Sequence, residues 1–141
     1  MTLLRHRLMV RFRDCDPLGH VNNAVYLTYL EQARFTLWRA QLGFTARSAA
    51  DAGPRGVGFI LARVEIDFVS QARYGEDLEV RLDLGRVGRA SFAYEYVITN
   101  VVTERVVAKA TTVQVRFDYD AQMSVAIDDA LKEKLSVPVA G

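Results

Sequence analysis

The chain has 141 residues, of which 50% are hydrophobic and 25% charged, and its formal net charge is +1. This balance is typical of a globular domain, so we expect residues 1–141 to form a single domain. The near-neutral charge gives no reason to expect nucleic acid or an anionic membrane as a partner. The sequence contains no run of about 18 apolar residues, so no membrane span is predicted. The single cysteine, Cys15, cannot form an internal disulfide, which favours a reducing, cytoplasmic location.

The first predicted element is a strand over residues 4–13, where apolar and charged side chains alternate with a period of two. One face carries Leu4, His6, Leu8, Val10 and Phe12. The other face carries Arg5, Arg7, Met9, Arg11 and Arg13, and its arginines are typical of a solvent-facing strand edge. Residues 14–22 follow as a polar loop with Pro17 and Gly19.

A long helix is predicted from about Ala24 to Leu42, ended by Gly43. Asn22 or Asn23 fits the N-cap, because an asparagine side-chain oxygen can accept a hydrogen bond from a backbone N–H of the first turn. One face of the helix carries Tyr26, Leu30, Ala33 and Leu37. Further apolar residues lie off that face: Val25, Tyr29, Phe35 and Trp38. A helix that is apolar on more than one side is mostly buried.

The second half of the chain alternates in a pattern typical of strands. Residues 43–58 are predicted to form a long loop. Strands are predicted over residues 57–69, 78–84, 92–98 and 105–118, with turns at Gly85–Gly88 and Asn100–Glu104 and a short helix from Asp128 to Leu135. One long helix among strands joined by short turns predicts an α+β fold with an antiparallel sheet.

The densest polar motif is Asp14-Cys15-Asp16-Pro17-Leu18-Gly19-His20-Val21-Asn22-Asn23, followed by Tyr26 and by Glu31-Gln32-Ala33-Arg34. Together with the segment from Ile66 to Leu78, it resembles the hotdog-fold acyl-CoA thioesterases of the 4-hydroxybenzoyl-CoA thioesterase type. The resemblance covers nearly the whole chain. It implies one antiparallel sheet wrapped around a long central helix. It also implies a homodimer or homotetramer with active sites at a subunit interface, and acyl-CoA as substrate with neither a metal nor a cofactor.

The resemblance places the catalytic carboxylate on Asp16 and the oxyanion donor on the backbone N–H of about Asn23. Thioester hydrolysis needs both, and a helix N-terminus offers unsatisfied N–H groups at the positive end of the helix dipole. A carboxylate beside it can act as general base or as nucleophile. His20 is a further catalytic candidate, although a purely structural hydrogen bond is an equal alternative.

Two residues are predicted to bind the substrate. Tyr26 lies in the first turn of the predicted helix, where it is either a core residue or a substrate contact. Arg89, on the turn with Arg86, matches the position where the family often places a basic side chain against the nucleotide end of coenzyme A. A solvated turn charge is the alternative. The acyl pocket is expected to involve some of Tyr29, Phe59, Leu61 and Phe68.

Several residues also have simpler interpretations. Asp16 before Pro17 is able to shape a turn without any catalytic role. Asp14 is interpreted as structural, because it ends the predicted strand and lies further from the helix. Glu31 and Arg34, spaced i and i+3, are expected to form an ordinary ion pair. Cys15 lacks a visible base and orienting group, so we do not expect it to be a nucleophile.

Other functions remain open at this point. A hotdog-fold enoyl-CoA hydratase would place an asparagine before Pro17 and a histidine one residue earlier than His20, so the sequence speaks against it. A non-catalytic module that binds acyl-CoA or acyl-carrier protein is compatible with the fold but does not need an aimed carboxylate. A metal site from Asp14, Asp16 and His20 is the least favoured alternative. The acyl group and the choice between coenzyme A and carrier protein are not encoded in any motif.

Overall fold

The computed structural model describes residues 1–43 and 56–140, so most of the predicted loop over residues 43–58 lies outside the described residues. Strand β1 (Thr2–Met9) leads through a 3₁₀ turn at Phe12–Asp14 into the long helix α1 (Val25–Leu42). The strands that follow are β2 (Val57–Phe68), β3 (Asp77–Val87), β4 (Ser91–Asn100), β5 (Val106–Asp118) and β6 (Met123–Ser124). Helix α2 spans Asp129–Leu135.

The strands form one antiparallel sheet in the order β1-β3-β4-β5-β2, and the short β6 pairs with β5. Helix α1 lies over one face of this sheet and packs most closely against β1 and β3. Strand β2 lies at the far end of the order, so one of its edges has no strand partner within the described residues. The α+β arrangement agrees with the sequence-based expectation.

Helix α1 buries apolar side chains on a broad surface, as its sequence predicts. The buried residues include Tyr26, Tyr29, Leu30, Ala33, Leu37 and Trp38. Phe35, nearly opposite, remains 37% exposed. The helix ends at Gly43, whose φ of 67° lies in the left-handed region that glycine adopts without strain. The helices described in residues 1–43 and 56–140 include none with the length and hydrophobicity of a transmembrane span.

The first strand is shorter than predicted, because it ends at Met9 and not at Arg13. Phe12 continues the alternating pattern in sequence, yet it is 79% exposed. The backbone N–H of Val10 instead donates to the carbonyl of Glu76 at 2.9 Å, and the chain then turns. Asp14 lies at the end of that turn and is buried, which draws the chain inward just beyond Phe12. The exposed arginines of β1 agree with the predicted solvent-facing edge.

The predicted ion pair between Glu31 and Arg34 is wrong. Arg34 is only 5% exposed, and its Nη1 donates to the hydroxyl of Tyr96 on β4 at 3.3 Å. Glu31 is exposed, whereas Arg34 is buried. The spacing favours an ion pair only where both positions face solvent, and this part of the helix faces the sheet.

The remaining predicted elements agree with the structure apart from one boundary, whereas the short strand β6 was not predicted. β3 continues to Val87, so the expected turn at Gly85–Gly88 begins later, and a register shift between Leu84 and Val87 marks a bulge. Gly85 allows this close pairing, because a Cβ there would lie 3.3 Å from the carbonyl oxygen of Ala93. Asp128 caps α2, since its carboxylate accepts a hydrogen bond from the N–H of Leu131 at 2.8 Å.

The packing of α1 predicts the stability of two matched variants. Leu37 is 0% exposed, so Leu37→Ala should lower the free energy of unfolding by about 2–5 kcal/mol. Leu18 is 77% exposed, and Leu18→Ala should change the free energy of unfolding by less than about 0.5 kcal/mol. Denaturant unfolding of both variants measures the difference. Equal losses would contradict the assignment of Leu37 to the core.

Candidate active site

The polar motif folds into a short antiparallel ribbon directly before α1. The N–H of Asn22 donates to the carbonyl of Asp14 at 2.9 Å, and the N–H of Asp16 donates to the carbonyl of His20 at 3.1 Å. Gly19 has a φ of 86°, which lets the chain reverse at the tip of the ribbon. The ribbon therefore holds Asp16 and His20 side by side and delivers Asn22 to the start of the helix.

The carboxylate of Asp16 shapes the tip of this ribbon. Its Oδ1 accepts a hydrogen bond from the N–H of Leu18 at 2.9 Å, as expected for an aspartate that initiates a turn. Its Oδ2 makes no hydrogen bond within the described part of the chain, and the residue is half-buried. The turn interpretation and the catalytic interpretation are thus compatible, because one oxygen builds the turn and the other is available.

The helix start has backbone donors without an acceptor in the described residues. Ala24 occupies the N-cap position without a side-chain hydrogen bond, so the prediction of an asparagine at the N-cap is wrong by one or two residues. Asn22 still accepts from the N–H of Ala24 with its side chain and from the N–H of Val25 with its carbonyl, both at 2.9 Å. The N–H of Asn23 has no acceptor among residues 1–43 and 56–140.

A pocket of about 330 Å³ opens at this helix start. It is lined by His20, Val21, Asn23, Tyr26, Phe68, Val69, Ser70 and Gln71. One wall is apolar, since the ring of Phe68 packs against that of Tyr26 at 5.4 Å. The other wall carries the polar groups of the ribbon and of the chain that follows β2. Such a cleft, apolar with a few converging polar groups, is typical of a ligand site.

Three of the five predicted site residues line this pocket: His20, Asn23 and Tyr26. Asp16 lies on the adjoining ribbon but does not line the pocket. Tyr26 is 3% exposed, and burial raises the pKa of its hydroxyl, which stays protonated at neutral pH. His20 Nδ1 lies 3.1 Å from the carbonyl of Val21, so a neutral His20 carries its proton on Nδ1 and presents Nε2 as an acceptor.

Arg89 lies at the opposite end of the sheet from the pocket. Phe68 pairs with Ala108, and Ala108 pairs with Ile98 near the end of β4. Arg89 is exposed and precedes the start of β4 at Ser91. At about 3.3 Å per residue, roughly 20 Å separates the two ends. Within one chain Arg89 does not reach the pocket, and its predicted role in substrate binding stays a prediction.

The structure separates the three residues of the alternative metal site. The carboxylate of Asp14 faces Arg11 and Tyr29, away from Asp16 and His20. Burial disfavours the ionised form of Asp14, but the hydrogen bonds from Arg11 and Tyr29 outweigh it and lower its pKa below the ordinary value. Within the described residues, no group of three or more His, Cys, Asp or Glu side chains is arranged to hold a metal ion.

Sequence reasoning missed two features of the site. Ser70 and Gln71 line the pocket because the chain leaves β2 beside the helix start, a proximity that no local pattern encodes. The sequence-based view of Asp14 was wrong about its surroundings, since its carboxylate accepts a hydrogen bond from Tyr29 on the helix at 2.8 Å. A buried aspartate paired with a tyrosine one turn into a helix has no local sequence signature.

Solved structures of related proteins define the class to which this fold belongs. A thioesterase from Thermus thermophilus, in complex with coenzyme A and zinc, is 30% identical with a TM-score of 0.74, covering 93% of this chain and 95% of that one. A mutant 4-hydroxybenzoyl-CoA thioesterase bound to 4-hydroxybenzoyl-CoA has a TM-score of 0.79 at 19% identity, covering 94% and 97%, and supports the fold alone. The hotdog fold is confirmed.

The family follows from the sequence. The family model of the Thioesterase-like superfamily matches residues 10–135, and the chain belongs to this family. The long-chain acyl-CoA thioesterase FadM of Escherichia coli K12 is 28% identical over 132 residues, which cover 94% of this chain and 96% of FadM. The resemblance drawn from the polar motif is confirmed, and so is the assignment to the thioester hydrolases.

The helix start predicts a second stability difference. Asn22→Ala removes the side-chain acceptor of the Ala24 N–H and should lower the free energy of unfolding by about 1 kcal/mol. Asn22→Asp retains an acceptor and should recover most of that loss. Asn23→Ala, whose side chain makes no hydrogen bond in the described residues, should stay within about 0.5 kcal/mol. Thermal unfolding of the three variants measures these differences. Equal losses of stability in Asn22→Ala and Asn23→Ala would contradict the role of the Asn22 side chain as the acceptor of the Ala24 N–H.

Proposed function

We propose that this protein hydrolyses acyl-CoA thioesters in the pocket at the start of α1. Asp16 is the general base or nucleophile, the N–H of Asn23 is the oxyanion donor, and His20 and Tyr26 contact the substrate. The observation that carries the proposal is that Asn23, whose backbone N–H has no acceptor in the described residues, lines a pocket next to the ribbon that bears Asp16. A backbone donor at a helix start, facing a cleft, is suited to a developing oxyanion.

Two routes satisfy this geometry. In the first, Asp16 takes a proton from water as the oxygen adds to the thioester carbonyl, and the N–H of Asn23 stabilises the negative oxygen. The tetrahedral intermediate then expels the thiolate, which takes up the proton held by Asp16. In the second, the carboxylate itself attacks, the C–S bond breaks, and water hydrolyses the resulting anhydride. Both routes end in a free acid and a thiol.

His20 and Tyr26 have supporting roles in either route. Because Nδ1 of His20 faces the carbonyl of Val21, Nε2 is the ring nitrogen left to orient water or the thiol group. The protonated Tyr26 and the ring of Phe68 form the apolar wall against which the acyl group packs. No step in these routes needs a metal or a redox cofactor.

The relatives support an acyl-CoA as substrate. FadM is named as a long-chain acyl-CoA thioesterase, and the Thermus thermophilus structure contains coenzyme A. Both cover nearly all of this chain. The near-neutral net charge and the single, half-buried Cys15 agree with a small-molecule substrate and a cytoplasmic location.

The central test is Asp16→Asn. A thiol-release assay over acyl-CoAs that range from short to long and from aliphatic to aromatic should show activity for the wild-type protein. The variant should lose at least about 100-fold in kcat on the preferred substrate, because the amide neither accepts a proton nor attacks. The preferred acyl group identifies the substrate class.

Asp129→Asn is the matched control, since Asp129 is an exposed carboxylate in the first turn of α2. It should retain wild-type kcat. Equal activity in wild type and Asp16→Asn would rule out Asp16 as the catalytic carboxylate. A wild-type protein that releases no thiol, yet melts at a higher temperature with acyl-CoA, would establish the non-catalytic binding module instead.

We further propose that the active form is a homodimer, or a homotetramer of such dimers, in which β2 of one copy pairs with β2 of another. Strand β2 has 12 residues and one edge without a strand partner in the described residues. Its exposed apolar side chains include Val57 at 49%, Leu61 at 43% and Phe68 at 45%. A long apolar edge strand is a template for pairing with another chain.

Antiparallel pairing of β2 with a second β2 gives Arg89 a role. Pairing in this sense places the Val57 end of the partner's β2 beside the Phe68 end of this one. The start of β4, which Arg89 precedes, lies at the Val57 end of the sheet, because Ser91 pairs with Val115 and Val115 pairs with Ile60. The partner's Arg89 would then approach the mouth of this pocket, where coenzyme A phosphates enter.

Leu61→Lys tests the interface. It should convert the wild-type oligomer to a monomer in light scattering, because it places a charge in the proposed contact, and thiol release should fall with it. Val102→Lys is the control, since Val102 is 82% exposed in the turn between β4 and β5. An unchanged oligomer in Leu61→Lys would exclude β2 pairing, and a monomeric wild type with full activity would exclude an interface site.

A further inference from the structure

Asp14 is a buried charge beside the candidate site for which the proposed reaction has no role. It is 2% exposed, and its Oδ1 accepts hydrogen bonds from Arg11 Nε at 3.2 Å and Nη2 at 3.0 Å. Its Oδ2 accepts from the backbone N–H of Arg11 at 2.9 Å and from the hydroxyl of Tyr29 at 2.8 Å. A buried carboxylate is tolerated only when it is paired and hydrogen-bonded in this way.

The backbone of Asp14 forms the base of the catalytic ribbon. Its carbonyl accepts the N–H of Asn22 at 2.9 Å, and Cys15 and Val21 form the next pair. Asp16 lies one pair further along. Any displacement of Asp14 relative to the helix is therefore transmitted to Asp16 through a stretch of only two residues.

Tyr29 is the residue of α1 to which the carboxylate of Asp14 is bonded. Its ring is 1% exposed and packs edge-on against Tyr26 at 5.8 Å, so the hydroxyl is held rigidly. Arg11, by contrast, belongs to the same turn as Asp14, and its side chain is 52% exposed. The bond from Tyr29 alone ties the side chain of Asp14 to the helix whose start supplies the oxyanion donor.

We propose that Asp14 and Tyr29 are positioning residues, whose hydrogen bond holds the carboxylate of Asp16 at a fixed distance from the helix start. The inference rests on the proposed function, because it assigns a task to the Asp16 of that reaction. A displacement of about 1 Å between reacting groups lowers rates by about 100-fold, so a single buried bond at this place affects the chemistry.

Tyr29→Phe removes only the hydroxyl and is the first variant to measure. Its kcat should fall by about 10-fold or more on the preferred acyl-CoA, while its KM stays within about 3-fold, because the pocket itself is intact. Tyr94→Phe is the matched control. Its hydroxyl, 0% exposed, accepts a hydrogen bond from Trp38 Nε1 at 2.8 Å on another part of the helix. It should lower the melting temperature similarly and leave kcat at the wild-type value.

A double-mutant cycle separates positioning from general damage. In the Asp16→Asn background, Tyr29→Phe should cause no further loss of kcat, since no carboxylate remains to be positioned. The loss of melting temperature should be the same in both backgrounds. If Tyr29→Phe proves too unstable to assay, Asp14→Asn keeps the shape of the side chain and should show the same dependence on Asp16.

Each contrary outcome has a distinct meaning. Wild-type kcat in Tyr29→Phe, together with the expected loss in Asp16→Asn, overturns the positioning role and leaves the proposed function intact. An equal loss of kcat in both backgrounds, or in Tyr94→Phe, shows general destabilisation and also overturns it. Wild-type kcat in Asp16→Asn instead removes the catalytic assignment on which the inference rests.

Discussion

The rotational setting of helix α1 over the sheet is the constraint on which the rest of the structure depends. Apolar packing alone fixes such a setting poorly, because the helix is apolar over a broad surface. Three buried hydrogen bonds from the helix to the surrounding structure define it: Tyr29 to Asp14, Arg34 to Tyr96, and Trp38 to Tyr94. Rotation by one residue would break all three, and each buried polar group left without a partner costs about 1–3 kcal/mol.

The first of these bonds, from Tyr29 to Asp14, ties the ribbon to the helix, and the proposed chemistry of the site depends on it. The ribbon before α1 is anchored to the helix at Asp14 and Asn22, so its tip has little freedom. The same short segment supplies a carboxylate at the tip and an unused N–H at the base. Neither group needs a distant part of the chain to bring it into place, which explains why so much polar chemistry is concentrated in ten residues.

The sequence could predict this segment and the order of the elements, because both are local. Alternation identifies the strands, and helical spacing with Gly43 identifies α1. Predictions from sequence periodicity were wrong where a side chain had a partner elsewhere in the fold. Phe12 fits the alternation, yet the chain turns before it because Asp14 is drawn inward. Arg34 fits a surface ion pair, yet its long side chain reaches Tyr96 beneath the helix. Periodicity indicates which face is buried and does not indicate what a polar group will meet there.

The same difference between local sequence and tertiary contacts applies to the residues of the pocket. Part of the pocket lining, at His20, Val21 and Asn23, belongs to the motif at residues 14–23, which is continuous in sequence. Another part, from Phe68 to Gln71, comes from the end of β2, and only the sheet order brings it beside the helix. Within the described residues β2 is also an edge strand, with β5 as its one neighbour in the order of the sheet. The groups assigned to the proposed reaction are therefore encoded within one short segment, whereas the rest of the pocket depends on the topology of the sheet.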